Sequence, residues 1–238
     1  MPLNLRYHSP YSAEVASTAS SIMRIDIFSD TICPWCYIGK KRFEKALAQR
    51  TDLELDIHWR AFQLNPDMPE EGMDRKQYVE TKFGGPERAR DVYARVEDAG
   101  SEEDIAFDFA AIRRTPNTIA SHRLIRYADD QPCGQDAVVD ALFKAYFIRG
   151  ENIGDIDVLV AAAKEANLDS QAVREFLESD EHAHAVRAED VRARQLGIQG
   201  VPFFVIDNKY GISGAQSPDA FLQAFTQALA DEEAAASE

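Results

Sequence analysis

Two cysteines set three residues apart, Cys33 and Cys36 in ICPWCYIGKKRFEKAL (residues 32–47), are the groups in this chain best suited to do chemistry. A Cys-x-x-Cys pair directly before an amphipathic run has three meanings: half of a metal site, a structural disulfide, or a redox couple. The cysteine count weakens the second, because three cysteines in 238 residues do not form a disulfide framework and a chain of this length can bury a core without one. The missing partners weaken the first. Structural zinc takes four ligands, and beyond the pair there is only Cys133, which follows Pro132 in an expected loop and reads as a bystander. His182 and His184 are two apart and would point to different sides of a helix. A mixed site recruiting Cys133 and His122 is the remaining metal arrangement, so no metal is expected.

A redox pair makes specific demands. The thiolate is the nucleophile, and unpaired N–H groups at a helix N-terminus stabilise it. Cys33 stands at the expected helix start, and Cys36 lies one turn inward, within reach of a mixed disulfide formed on Cys33. The expected cycle is thiolate attack on a disulfide, a mixed-disulfide intermediate, and resolution by the second thiol. Pro34 and Trp35 shape the turn and the surface a substrate would meet. His122, in NTIASHRLIRYA, reads either as a catalytic or substrate-contacting imidazole or as a helix histidine satisfied by hydrogen bonds. His58 and His8 favour the second kind of reading. Asp26 would serve as a proton acceptor for Cys36 if buried, but its place in the pattern favours an exposed strand residue. Lys40, Lys41 and Arg42 read as a solvated helix face.

The elements that must position these groups follow from periodicity. MRIDIFSD alternates, with Met23, Ile25 and Ile27 on one face, and predicts a strand. Pro34 suits a first helical position, and Cys36, Gly39, Phe43, Ala46 and Leu47 recur at helical spacing. LELDIHWR (residues 53–60) alternates again. From Met73 to Leu196 helical periodicity takes over, with helices predicted over 74–97, 117–129, 135–148, 155–166, 170–178 and 181–196 and no internal repeat. Strand signals resume in GVPFFVIDNKYGISG, where Phe203–Ile206 read as a strand buried on both faces. SPDAFLQAFTQAL then predicts a closing helix with Phe221, Leu222, Phe225 and Leu229 inward. Residues 1–22 read as a disordered extension, 23–72 and 197–231 as one discontinuous domain, 73–196 as a helical insertion, and 232–238 as a frayed tail.

A net charge of −15 argues against nucleic-acid binding, and no apolar run is long enough for a membrane span. With no signal-peptide core in the first 22 residues, the expected location is cytoplasmic, where a Cys33–Cys36 disulfide would be transient and functional.

CPWC opening a helix, a long helical stretch, and GVPFF before a late strand together resemble the thioredoxin superfamily, and within it the DsbA family. DIFSDTICPWCYIGKKRFEKAL, WRAFQLNP and GIQGVPFFVIDNKYGISGAQSPDAF look like the FrnE-like subgroup, the likeness covering about residues 23–231. The resemblance implies an α/β thioredoxin fold (βαβ…ββα) with a large all-helical domain inserted between its halves. It also implies Cys33 as nucleophile, Cys36 as resolving cysteine, and Pro202 as a cis-proline that turns the Val201 backbone towards the substrate. From the residues alone, Val201-Pro202 would read as a trans proline opening a strand. Substrates are expected to be protein or low-molecular-weight disulfides and thiols. No tightly bound cofactor is implied, with glutathione as a candidate redox partner and a homodimer compatible with the family. The same architecture resembles kappa-class glutathione transferases and 2-hydroxychromene-2-carboxylate isomerases, which typically carry serine where Cys33 stands. That supplies the alternative function, a glutathione-dependent transferase or isomerase. Asn117 and His122 look like part of the wider family's pattern and would line a substrate groove.

Overall fold

The computed structural model describes residues 22–236. The expected N-terminal extension, Ile22 aside, lies outside the described residues, as does His8. Strand β1 (Met23–Ser29) leads through a short turn into helix α1 (Pro34–Leu47), and the chain returns along β2 (Leu55–Ala61), parallel to β1. After the helices described below, β5 (Phe203–Ile206) and β6 (Tyr210–Ser213) add antiparallel to β1 and to each other, and the sheet runs β2-β1-β5-β6. Helix α9 (Pro218–Ala236) closes the fold against α1 and runs past residue 231, where fraying was expected.

The apolar periodicity explains which faces meet. Ile25 and Ile27 of β1, Phe204 and Ile206 of β5, Phe43 of α1, and Phe221 and Phe225 of α9 are all buried. Phe43 sits at the centre, with ring centroids 5.4 Å from Phe204 and 5.5 Å from Phe221. Aromatic groups at such spacings add modestly to the burial that drives the packing. Strand β5 departs from the expectation of burial on both faces. Phe204 and Ile206 are buried whereas Phe203 and Val205 are half-buried, packed against a smaller cluster of Phe28, Phe62, Ala193 and Ile198.

Between β2 and β5 run α2 (Arg75–Phe83), α3 (Pro86–Ser101), α4 (Ile119–Tyr127), α5 (Gly134–Phe143), α6 (Ile156–Glu165), α7 (Ser170–Glu178) and α8 (Ala183–Gln195). The single helix predicted over 74–97 is two. Gly84 ends α2 with φ 74° and Gly85 follows at φ 119°, conformations L side chains rarely adopt, and Pro86 starts α3 at a position needing no N–H. The predicted helix over 135–148 is α5 continued by a π-helical turn at Lys144–Ile148. A two-residue antiparallel ribbon, β3 (Met73–Asp74) with β4 (Arg114–Thr115), went unpredicted because two residues show no periodicity.

The helices also finish the sheet. β2 is an edge strand, and its outward backbone groups meet side chains instead of another strand. Trp59 N–H donates to Gln135 Oε1 at 2.7 Å, Ala61 N–H to Glu189 Oε2 at 3.1 Å, and Gln63 N–H, just beyond the strand, to Asp190 Oδ1 at 2.8 Å. Gln135 Nε2 donates back to Trp59 O at 3.4 Å. An unprotected edge invites pairing with another chain; here α5 and α8 occupy it. Among the described residues no helix is long and apolar enough to cross a membrane.

Candidate active site

Cys33 is the N-cap residue of α1, extended at φ −93° and ψ 111°, with Pro34 in the first turn. Its own N–H donates to Asp30 O at 3.0 Å, and Cys36 N–H donates to Cys33 O at 3.0 Å, so the turn holding both sulfurs is fixed by backbone hydrogen bonds. Both cysteines are unbridged thiols. The Cys33 thiol donates to the Val201 carbonyl at 3.5 Å. That contact joins the two ends of the sequence signal, 168 residues apart.

The Val201–Pro202 peptide is cis, as the family resemblance implied and against the reading from residues alone. Pro202 lies against α1 at Gly39, where a Cβ would come within 2.9 Å of Pro202 Cγ. A side chain larger than hydrogen at that position would make Pro202 or α1 shift. Pro202 O accepts the Gly214 N–H at 2.8 Å, which ties the turn to the end of β6.

The two thiols differ in setting. Trp35, between them, is 38% exposed, whereas Cys33 is 4% and Cys36 1% exposed. Burial first, and then the adjacent Cys33, push the Cys36 thiol well above its ordinary range. The Ser29 hydroxyl and the Asp30 backbone N–H, both donors to its sulfur, act in the other direction without reversing it. Cys36 is thus held as a thiol until its proton is removed.

A groove of about 310 Å³ is lined by Leu64–Pro69, Met73, Tyr78, Thr81 and Lys82. Burial is the main reason the Tyr78 phenol is pushed up, and the negative forms of Asp30 and Cys33 add to it, so Tyr78 stands within electrostatic reach of both. Asn117, expected in a substrate groove, uses both ends of its amide on backbone. Its Nδ2 donates to Met68 O at 2.7 Å and its Oδ1 accepts the Ile119 N–H at 3.0 Å. It braces a groove wall through Met68.

His122, on α4, is 4% exposed, with Nε2 3.5 Å from Oδ1 of Asp30. Asp30 is fully buried and its Oδ2 accepts the Leu64 N–H at 2.7 Å. Sequence reasoning missed Asp30; the available signal was an acid three residues before the first cysteine. Asp26, favoured as exposed, is buried at 7% exposure. It accepts from Arg24 Nε at 2.8 Å and Arg60 Nε at 2.6 Å, beside a separate cavity of about 500 Å³ on the other side of β1. Lys40 is a second correction: rather than solvated, it is 2% exposed, with Nζ paired to Glu44 and, at 2.9 Å, to Asp136 of α5. His58 lies between Asp56 and Asp129. Cys133 is half-buried at the start of α5. Among the described residues no three His, Cys, Asp or Glu side chains are grouped to hold a metal ion.

A four-stranded mixed sheet, a helix carrying Cys-x-x-Cys at its start, and a cis Val201–Pro202 peptide whose Val201 carbonyl meets the first sulfur define a protein of thioredoxin fold with a helical insertion. Residues 24–226 match the DSBA-like thioredoxin domain, and the chain belongs to that family. It is similar to a probable DsbA oxidoreductase from Streptomyces coelicolor, 35% identical over 87% of this chain and 90% of that one, with a TM-score of 0.78. A 2-hydroxychromene-2-carboxylate isomerase shares the fold at 19% identity and TM-score 0.64, over 90% of this chain and 100% of the other. So does the cytosolic disulfide reductase DsbM from Pseudomonas aeruginosa, solved with GSH, at 16% identity and TM-score 0.54, over 87% and 98% of the two chains.

Proposed function

We propose that this protein is a thiol-disulfide oxidoreductase that works through Cys33 and Cys36. The observation that carries the reading is the pair of free thiols at the start of α1, the first of them facing the Val201 carbonyl beside Pro202. In the reductive direction the Cys33 thiolate attacks a substrate disulfide and one substrate thiol leaves. Cys36 then attacks Cys33 Sγ, a Cys33–Cys36 disulfide forms, and the second substrate thiol is released. Two electrons pass from the enzyme dithiol to the substrate disulfide, and the reverse sequence oxidises a dithiol. Val201 and Pro202 form one wall of the substrate position, and Trp35 offers an apolar surface beside the nucleophile. Protein and low-molecular-weight disulfides are the substrate class, with glutathione as redox partner, in the cytoplasm. Support comes from the family and from a shared fold with a cytosolic disulfide reductase solved with GSH.

Equilibration in glutathione buffers, with Cys33→Ser and Cys36→Ser controls, tests this. The wild type should titrate as a two-electron couple, Cys33→Ser should lose exchange, and Cys36→Ser should accumulate a mixed disulfide on Cys33. A glutathione-dependent isomerisation that survives in both variants would replace this reading with the transferase or isomerase one.

A further inference from the structure

Helix α2 lines two cavities. Tyr78, Thr81 and Lys82 belong to the groove of about 310 Å³ described above, whereas Arg75, Lys76, Val79 and Glu80 line a separate cavity of about 660 Å³, completed by Pro86 and residues 109–113. Arg75 stands out in it. Its Nη1 donates to Thr115 Oγ1 at 3.0 Å and to Tyr146 OH at 3.5 Å, and its Nη2 to Tyr93 OH at 2.7 Å. Its guanidinium carbon lies 5.3 Å and 5.4 Å from the centres of the Tyr78 and Tyr93 rings. Each of these partners is a neutral hydroxyl or a ring face, and Nε is buried without a hydrogen-bond partner. Cations withdrawn from water are as a rule paired with an acid, yet among the described residues no carboxylate pairs with this half-buried one. In the cavity beside β1, by contrast, Arg24, Arg60 and Arg126 all hold Asp26 or Glu189.

The two acids lining the α2 cavity are turned elsewhere. Asp74 caps α2, its Oδ1 accepting the N–H groups of Lys76 and Gln77, and Glu80 leans on the start of α3, where a Cβ on Gly85 would be 3.4 Å from its Oε2. Lys76 and Arg113 are exposed at the rim and have no acidic partner among the described residues. Val79, Pro86, Ala110 and Ile112 supply an aliphatic wall, since Phe109 is already stacked on Tyr93 and Phe107 at 4.4 Å and 5.1 Å. We propose that this cavity binds a small aliphatic carboxylate, its anion set among Arg75, Lys76 and Arg113 and its alkyl body against Val79, Pro86, Ala110 and Ile112. Three cations against two acids match one negative charge, which favours a monocarboxylate over a phosphate ester. Both the volume and a few placed charges in an apolar wall are usual for small-molecule sites. Arg75 ties the site to the rest of the protein, because it lies over Tyr78, which lines the groove within electrostatic reach of Cys33. The binding itself does not depend on the dithiol reading.

The experiment titrates sodium octanoate into the full chain, followed by calorimetry and by NMR of the tyrosine rings. One octanoate should bind per chain and shift the ring signals of Tyr78 and Tyr93. Octanol, which lacks the charge, should bind about 10-fold more weakly, as should octanoate to Arg75→Gln, the factor expected for a hydrogen bond to a charged group. Lys76→Gln and Arg113→Gln remove exposed cations and should each weaken octanoate by about 3-fold. Cys33→Ser at the active site and Arg192→Gln in the cavity beside β1 should bind it as the wild type does. Equal binding of octanol, displacement of octanoate by an equal concentration of inorganic phosphate, or loss of binding in either control would overturn the proposal. If Arg75→Gln does not fold, unchanged affinity in the Lys76→Gln, Arg113→Gln double variant would overturn it as well. Failure of thiol exchange with octanoate binding intact would count against the dithiol function alone.

Discussion

Gly39 shows how one missing methyl group sets the geometry of the site. In an open helix interior, replacing glycine by alanine favours the helix by about 1 kcal/mol. Here the new Cβ would lie 2.9 Å from Pro202 Cγ, closer than such atoms approach, and Pro202 or α1 must give way. Forced overpacking costs about 1–3 kcal/mol, which cancels or exceeds the helix gain. Pro202 is joined to Val201, whose carbonyl meets Cys33 Sγ at 3.5 Å, so any yielding reaches the nucleophile. Gly39→Ala should therefore show no gain in urea midpoint, together with slower exchange with oxidised glutathione. A more stable variant with full exchange would mean that the Pro202 contact is not constraining. Asp30 and Lys40 belong to the same scale. Asp30 went unread and Lys40 was expected to be solvated, because their surroundings are set by His122, 92 positions on, and by Asp136, 96 positions on. Side-chain spacing along one helix or strand carries no information about such partners.

Among the elements, β2 carries the clearest consequence of the helical insertion. Its outer edge is closed by Gln135, whose amide meets both the N–H and the C=O of Trp59, a residue 4% exposed. A buried backbone group that loses its partner costs about 1–3 kcal/mol. Gln135→Leu, similar in size but without the amide, should thus lower unfolding free energy by about that amount in urea titrations. Asp190→Asn keeps an acceptor for Gln63 N–H and should cost less than Asp190→Ala. Equal stability of Gln135→Leu and wild type would show that water replaces the amide at that edge. The helices themselves were legible, since apolar residues at helical spacing mark a buried stripe wherever the helix goes. The β1–α1–β2 unit and the late β5–β6–α9 unit were legible from strand-like apolar runs next to helical spacing, although β5 proved buried on one face only. The edge-closing role was not, because nothing in the spacing of Gln135 or Glu189 shows that β2 will lie beside them. The site was half legible: Cys33 and Cys36 announced themselves, Pro202 became meaningful only through the family resemblance, and Asp30 was hidden in a turn without periodicity.

At the scale of the whole molecule, 41 acidic against 26 basic residues leave a net charge of −15, and acid response depends on which carboxylates folding has changed. Burial alone would raise the carboxyls of Asp26, Glu103 and Asp140, yet each is held below its ordinary range. Arg24 and Arg60 do this at Asp26, Lys45 and Arg42 at Glu103, and Lys144, Lys40 and Lys41 at Asp140. These pairs join β1 to β2, α1 to the segment after α3, and α1 to α5. A carboxyl depressed in the folded state binds fewer protons there than in the unfolded chain. Its stabilisation is therefore complete above the unfolded value, near pH 4, and is lost as pH falls through the lower folded value. Stability should be nearly flat from neutral pH down to about pH 4.5 as far as these three groups decide it, then fall as acid reaches all three junctions. Asp26→Asn cannot take part in that titration. It should be less stable than wild type at neutral pH, because Arg24 and Arg60 lose their shared partner, but its urea midpoint should decline less steeply below pH 4. Parallel acid limbs for the two proteins would show that the Arg24–Asp26–Arg60 group does not hold β1 and β2 together in the way its geometry indicates.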